Sequence, residues 1–486
     1  MNETRPSPAH RALAALRRVG GARLPHPPGP SSARPFARIA AEQLLSRVAG
    51  VVPVAGNSVT LLRDGAENYP AWLAAIAAAQ HVVDFENYII SDDATGQRFA
   101  DALIERAQAG VSVRVLYDWL GSFSTSRRFW RRLRDAGVAV RCFNPPRLDS
   151  PLGWLTRNHR KTLRADEIGF VAGLCVGDMW QGTDRAEPWR DTGVCLRGPA
   201  VADLAAAFES SWAYAGGPPA ATAPDHPPAV AGDIAVRVIG SRPTTMGLYR
   251  FDQLVAGIAR DTLWLTDAYF VGTTAYVRTL CDAARDGVDV RLLVPGASDL
   301  PVAKALSRAG YRPLLEAGCR VFEWNGPMLH AKTAVADGRW ARIGSSNLNI
   351  ASWMGNWELD LAIENAAFAG QLSAMYERDL QDATEIVLDL GRIRAPDRQP
   401  ALPLRRGSPG RIAAGALGLG STVSAVITNH RSLGPAEARV TAIGAGLLLL
   451  LAIVLVFLPR LLTIPLAIIA TWIGVTLLVR AGRSRP

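Results

Sequence analysis

The sequence predicts an α/β protein built from two related lobes and followed by a pair of membrane-spanning helices. Three observations predict it: strand-like and helix-like stretches that recur in the same order, a charged motif that occurs twice, and two long uncharged runs near the carboxyl terminus. At 486 residues, 49% hydrophobic and 20% charged, the chain exceeds one ordinary domain and has enough apolar side chains for a large core. Wholesale disorder is excluded.

Residues 1–54 read as a basic arm. The first fifty hold eight arginines and two acids, and prolines at 25, 27, 28, 30 and 35 interrupt any long helix, so a mostly unstructured segment is expected. It lacks the apolar core of a secretory signal. The first lobe, 55–215, opens with a strand-like run at 82–90, a helical stretch at 96–110 and a strand at 111–117. The same order recurs in the second lobe, 233–390. AGVSVRVL at 109–116 matches RDGVDVRLL at 285–293, DAGV at 135–138 matches EAGC at 316–319, and FENY at 85–88 has its counterpart in LTDAY at 265–269. This is an internal duplication. Between the lobes, 216–232 is a run of Pro, Ala and Gly suited to a linker.

Residues 391–439 are again basic, with eight arginines and two acids, and contain a weakly apolar stretch at 412–428 that suits an interfacial or a surface helix. Residues 440–458 and 461–479 are then two uncharged runs of nineteen, near the ~20 residues that cross a hydrocarbon core. Pro459 and Arg460 supply a turn. Arg431 and Arg439 precede the hairpin and Arg480, Arg483 and Arg485 follow it in the basic tail, 480–486, so the positive-inside bias keeps both flanks, and the lobes, in the cytoplasm.

The 53 basic residues outnumber the 43 acidic ones, for a net charge of +10, which favours an anionic partner: phospholipid head groups, nucleic acid or a phosphorylated substrate. Five cysteines, Cys142, Cys175, Cys195, Cys281 and Cys319, are odd in number and form no CxxC pair. That argues against a disulfide framework and a zinc site.

Each lobe ends in the same constellation. His159, Lys161 and Asp166 in the region 154–181 are matched by His330, Lys332 and Asp337 in the region 325–352, so HxKxxxxD occurs twice. Only three basic residues of the chain are lysine, and two of them fall here, so a compact ammonium is wanted where arginine is otherwise used. In a strand, His and Lys at i and i+2 share a face, and two such segments suit one tetrahedral phosphodiester. Lys161 and Lys332 would hold its oxygens, with Asn347 and the hydroxyls of Ser345 or Ser346 as further donors. One imidazole can attack phosphorus while the other protonates the departing alcohol.

The duplicated HxKxxxxD with Gly344-Ser345-Ser346-Asn347 resembles the phospholipase D superfamily. Trp189-Arg190-Asp191-Thr192-Gly193, followed by Arg197-Gly198-Pro199-Ala200-Val201, looks like its bacterial cardiolipin synthase branch. The resemblance covers about residues 55–385. It implies two pseudo-twofold-related lobes, each a mixed sheet flanked by helices, no metal or other cofactor, and a covalent phosphohistidine. It further implies His159 as nucleophile, His330 as general acid, and Glu358 and Asp191 as the carboxylates that orient the histidines. Asp166 and Asp337 then hold local structure or balance the lysines. The first copy departs from the pattern, with Ala172-Gly173-Leu174-Cys175 in place of GSxN, so a thiol is expected where an amide donor stands in the second.

The leading expectation is a phosphatidyltransferase of the bacterial inner membrane that moves a phosphatidyl group between phosphatidylglycerol molecules, or to another lipid or alcohol. The basic segments would face an anionic membrane surface. A phospholipase D that passes the group to water uses the same residues. A nuclease suits the charge but not the hairpin, and a non-catalytic membrane scaffold would not need both motifs intact.

Overall fold

The computed structural model describes residues 33–146, 155–219, 228–243, 245–389, 392–393 and 471. The chain divides into two units, 1–45 and 46–486. The described part of the first unit belongs to helix α1 (Ala33–Ala49). An unstructured arm was expected there. The segment runs clear of proline after Pro35 and is rich in Ala and Arg, with two Leu, all good helix formers, so propensity prevails once the proline cluster ends.

In the second unit, β1 (Val54–Arg63) leads to α2 (Asp64–Ala78), β2 (Val82–Asn87), α3 (Ala94–Gln108), β3 (Ser112–Asp118), α4 (Arg127–Asp135) and β4 (Ala139–Phe143). There follow β5 (Arg157–Asn158), β6 (Lys161–Ala165), β7 (Ile168–Ala172), α5 (Asp178–Gln181), β8 (Thr192–Arg197) and α6 (Val201–Tyr214). The second lobe repeats the plan with β9 (Ile234–Ser241), α7 (Gly247–Ile258), β10 (Thr262–Thr266), α8 (Thr274–Arg285), β11 (Asp289–Pro295), α9 (Pro301–Ala309), α10 (Tyr311–Glu316) and β12 (Arg320–Trp324). It ends with β13 (Thr333–Ala336), β14 (Trp340–Gly344), a π-helical turn (Ala351–Gly355), β15 (Asn356–Glu364), α11 (Ala366–Gln381) and β16 (Ala383–Ile386).

Strand order makes the duplication explicit. One half runs β4-β3-β2-β6-β7-β8-β1 and the other β12-β11-β10-β13-β14-β15-β9, with β16 outside β12. In both, three parallel strands meet an antiparallel run at the strand that follows the histidine motif. One mixed sheet per lobe was expected. The two are joined edge to edge, because β1 pairs antiparallel with β9 at Val54↔Val236 and Asn57↔Ile234. That pairing leaves neither inner edge open.

The local signals are conventional. Asp93, Ser126, Thr273 and Asn365 cap α3, α4, α8 and α11 by accepting from the backbone N–H three residues on. Tyr69, Trp72, Phe85, Phe99 and Phe170 pack the first lobe. A second core takes Val171, Val194 and Leu196 from the first lobe and Ile343, Leu359, Leu361 and Leu372 from the second, so the lobes share one apolar interior. A buried ion pair reinforces the join: Arg190 of the first lobe donates to Asp379 on α11 at 2.7 Å, and Asp64 on α2 of its own lobe takes a further bond from it at 3.1 Å.

The run at 440–458, all of the run at 461–479 but residue 471, the segment 394–439 with its stretch at 412–428, the tail, and 220–227 of the linker lie outside the described residues. Among the described residues no helix is long and apolar enough to cross a membrane.

Candidate active site

The sequence expectation places His and Lys on one face of a strand. The strands begin later, at Lys161 and at Thr333, so each histidine stands just ahead of its own lobe's ladder. The reason is a bond to the other lobe. His159 N donates to Trp357 O at 2.8 Å and His330 N donates to Arg190 O at 2.7 Å. Around these bonds β5 pairs in parallel with β15, and Arg190 bridges in parallel to Leu329.

Trp357 precedes Glu358 and Arg190 precedes Asp191, so the crossed backbone register delivers each carboxylate to the opposite lobe's imidazole. Both Glu358 oxygens lie 3.0 Å from His159 Nδ1, and Asp191 Oδ2 lies 2.7 Å from His330 Nδ1. Burial pushes both carboxyls up, but the facing imidazole and then the neighbouring lysine outweigh it and hold both below the ordinary range. Burial lowers His159 to about 4 and, helped by the Lys332 charge, His330 to about 3. Ionised carboxylates therefore face neutral imidazoles. Each takes its bond from Nδ1–H, which leaves Nε2 as the nitrogen not bound to the carboxylate; on His330 the Lys332 ammonium approaches that nitrogen to 3.1 Å.

Both histidines line a cavity of about 400 Å³. Val271, Leu300, Ala303, Leu306, Ile350 and Met354 make much of its wall apolar. Tyr88 stands edge-on to His159 and Tyr269 to His330, with ring centroids 5.0 and 5.9 Å apart. These are the tyrosines of FENY and LTDAY, so the repeat itself carried the signal for them.

The two lysines are buried behind the histidines. Lys161 Nζ donates to His159 O at 2.5 Å; Lys332 Nζ donates to His330 O and lies 3.0 and 3.1 Å from the two ring nitrogens of His330. Burial lowers both, Lys332 to about 8.

Ser345 is occupied differently from the sequence expectation. Its Oγ donates to Glu358 Oε2 at 2.6 Å and accepts from Leu359 N at 3.0 Å, so it holds the carboxylate and is not aimed at a phosphate. Ser346 Oγ is buried with no partner among the described residues, and Asn347 lines the cavity. In the first copy the offset of the thiol is corrected. Counted from the two histidines, Cys175 stands where Ser346 does, and Val176 where Asn347 does. Cys175 lines the cavity, and burial pushes its thiol up, away from nucleophilic form.

Asp191 has its own cage: Trp180 Nε1 donates to Oδ2 at 3.1 Å and Thr192 N to Oδ1 at 2.8 Å. Gly173 makes room, since a Cβ there would fall 2.1 Å from Asp191 Oδ1. Nothing in the sequence marked Trp180.

Asp166 and Asp337 are not brought to the cavity. They sit at the far ends of β6 and β13 with φ of 49° and 51°, and each accepts three backbone N–H bonds, from Gln80, His81 and Val82 and from Arg260, Asp261 and Thr262. Among the described residues no group of His, Cys, Asp and Glu is arranged to hold a metal ion.

Residues 256–380 match the family model described as cardiolipin synthase, PLD-like domain. The chain is 34% identical over 366 residues to a cardiolipin synthase of Alkalihalophilus pseudofirmus, with 73% of each chain covered. It is 36% identical over 355 residues to cardiolipin synthase A of Pseudomonas aeruginosa, with 70% of each covered. In structure it is similar to the phosphatidylserine synthase of Haemophilus influenzae, with a TM-score of 0.57 over 78% of this chain and 99% of that one; at 16% identity the likeness concerns the fold. Relatives at this identity over this share of both chains, joined to a doubled histidine motif in a doubled fold, show that the chain belongs to the bacterial cardiolipin synthase branch of the phospholipase D superfamily.

Proposed function

We propose that the chain is a membrane-anchored phosphatidyltransferase that makes cardiolipin from two molecules of phosphatidylglycerol. One observation carries the reading: two imidazole–carboxylate pairs, crossed between lobes, face a single cavity with an apolar wall. His159 Nε2 attacks phosphorus, the bond from phosphorus to the glycerol oxygen breaks, and His330 gives that oxygen a proton. Glycerol leaves and the phosphatidyl group stays on His159. The terminal hydroxyl of a second phosphatidylglycerol then passes its proton to His330 and displaces His159 from phosphorus, which restores both residues.

Lys161 and Lys332 supply the positive charge for the non-bridging oxygens, with Asn347 and Ser346 as neutral donors, while Glu358 and Asp191 stabilise the imidazolium forms. Asp166 and Asp337 keep the turns that aim β6 and β13. Burial and then the Lys332 charge keep His330 neutral in the empty cavity; a bound phosphodiester anion counters that charge and so favours the protonated general acid. The hairpin 440–458 and 461–479 anchors the lobes on the cytoplasmic face, and the arm and the segment 391–439 lie along the anionic leaflet.

The test is lipid mass spectrometry on cardiolipin-deficient bacterial membranes that contain the chain, its His159→Ala or its His330→Ala variant, and labelled phosphatidylglycerol. Labelled cardiolipin and free glycerol in equal amounts, absent from both variants, are expected. Phosphatidic acid without cardiolipin would make the enzyme a hydrolase.

A further inference from the structure

Helix α4 reads RRFWRRLRD. Its buried side is Phe129, Trp130 and Leu133, and Arg127, Arg128 and Arg131 share the exposed side. Arg132 is paired with Asp101 and Gln97, but Arg127, Arg128 and Arg131 have no ion-pair or hydrogen-bond partner among the described residues. Just ahead of the helix Phe123 is 51% exposed, against Trp119. This loop is tied to the cavity wall. Ser122 Oγ donates to Tyr88 O at 3.2 Å and accepts from Ile90 N at 3.0 Å, Thr125 Oγ1 donates to Ile90 O, and Tyr88 and Ile89 line the cavity. From the second lobe, Met354 both lines the cavity and is 43% exposed.

We propose that this surface seats the folded lobes on an anionic bilayer, with Phe123 and Met354 in the acyl boundary and Arg127, Arg128 and Arg131 on lipid phosphates, so that the cavity opens directly onto the leaflet. It rests on the lipid-substrate reading and goes beyond it, because the seat lies on the catalytic lobes and is separate from the basic arm and the hairpin flanks. Three solvated cations on the helix that follows an exposed Phe123 have no intramolecular use, whereas anionic head groups over an acyl layer complement both. A diacyl substrate that reached the cavity through water would expose both chains, and a mouth set against the leaflet avoids this.

The test is hydrogen exchange and activity of the full chain in nanodiscs of phosphatidylcholine alone or mixed with phosphatidylglycerol. Backbone amides at 119–131 should exchange at least about tenfold more slowly in the anionic discs. The triple variant R127E, R128E and R131E should lose that protection. It should also lose about tenfold or more in kcat/KM on bilayer phosphatidylglycerol, while turnover of monomeric dihexanoyl phosphatidylglycerol stays within about twofold. Equal protection in both discs, or an equal loss on both substrates, would overturn the proposal. Protection in anionic discs without any lipid turnover would uphold the seat and sink the phosphatidyltransferase reading alone.

Discussion

The two histidine segments follow the same path and sit in different cages. Each histidine donates its backbone N–H to the residue before the other lobe's acid, and each imidazole meets that acid through Nδ1. Around this common frame Glu358 is held by Ser345 Oγ at 2.6 Å and Asn356 Nδ2 at 3.4 Å, whereas Asp191 is held by the Trp180 indole and the Thr192 amide. His159 is 12% exposed and His330 6%. A backbone bond cannot diverge without loss of the pairing, but the side chains that brace each acid can. Duplication thus supplies two equivalent imidazoles, and the different cages around them are what would let each take a different part in the proposed reaction.

The sharpest way to break that comparison is to remove one imidazole at a time. His159→Ala and His330→Ala should each lower phosphatidyl transfer by about 10³-fold or more, with a double variant little worse than either alone, because the pair acts as a unit. A phosphodiester with a p-nitrophenolate leaving group needs no general acid. His330→Ala should still accumulate a phosphohistidine from it, detectable by mass spectrometry of the intact protein, and His159→Ala should not. A covalent intermediate in the second variant would reverse the two roles.

Next come the acids. Asp191→Asn and Glu358→Gln keep shape but remove the charge that stabilises an imidazolium, and each should lower kcat by about 10²-fold or more, with KM little changed. Gly173→Ala reaches the same end indirectly: its methyl group would displace Asp191 Oδ1 and leave Glu358 untouched. It should match Asp191→Asn in steady-state kinetics and leave phosphohistidine formation from the activated substrate near wild type.

pH separates the lysines. His159 titrates at about 4 and must be neutral to attack, so on the p-nitrophenyl phosphodiester, which needs no general acid, kcat/KM should rise with pH through about 4 and then hold level. Lys332, lowered to about 8, must be charged to hold the phosphate, so kcat/KM should fall as pH passes about 8. Lys332→Arg keeps its proton at that pH and should remove the alkaline limb, at the cost of a lower plateau, since the fork of a guanidinium does not match a point charge. Lys161→Arg should leave the alkaline limb in place.

Much of this site was legible before any coordinates, and the part that was not has a common cause. The repeat and the two HxK segments are local patterns in one dimension, and the family resemblance adds Asp191 and Glu358. Which acid serves which imidazole depends on contacts between residues 199 and 139 positions apart, and no spacing rule states that β5 pairs with β15. The join of the two sheets through β1 and β9 is hidden for the same reason, as is the use of the Ser345 hydroxyl on Glu358. Helix α1 was obscured by its neighbours: the proline cluster ahead of it lent its own character to a segment that is a competent helix.

The last comparison concerns the two aspartates that end the motifs, where the halves should behave alike. Asp166 and Asp337 each bind three successive backbone N–H groups at the start of a parallel strand and each adopt a left-handed backbone conformation. Alanine would leave those donors without their acceptor and put a Cβ-bearing residue with no local bond in a disfavoured conformation, for a loss of about 1–3 kcal/mol of stability. Asparagine tolerates that conformation and keeps one acceptor, so Asp166→Asn and Asp337→Asn should lose less. In all four variants, kcat/KM measured well below the unfolding transition should stay within about threefold of wild type, because neither side chain touches the cavity. Thermal unfolding of the two alanine variants should shift by similar amounts. A large loss of kcat in only one of them would show that the symmetry of the turns is not merely structural and that its aspartate acts on the lysine of its own motif through the strand between them.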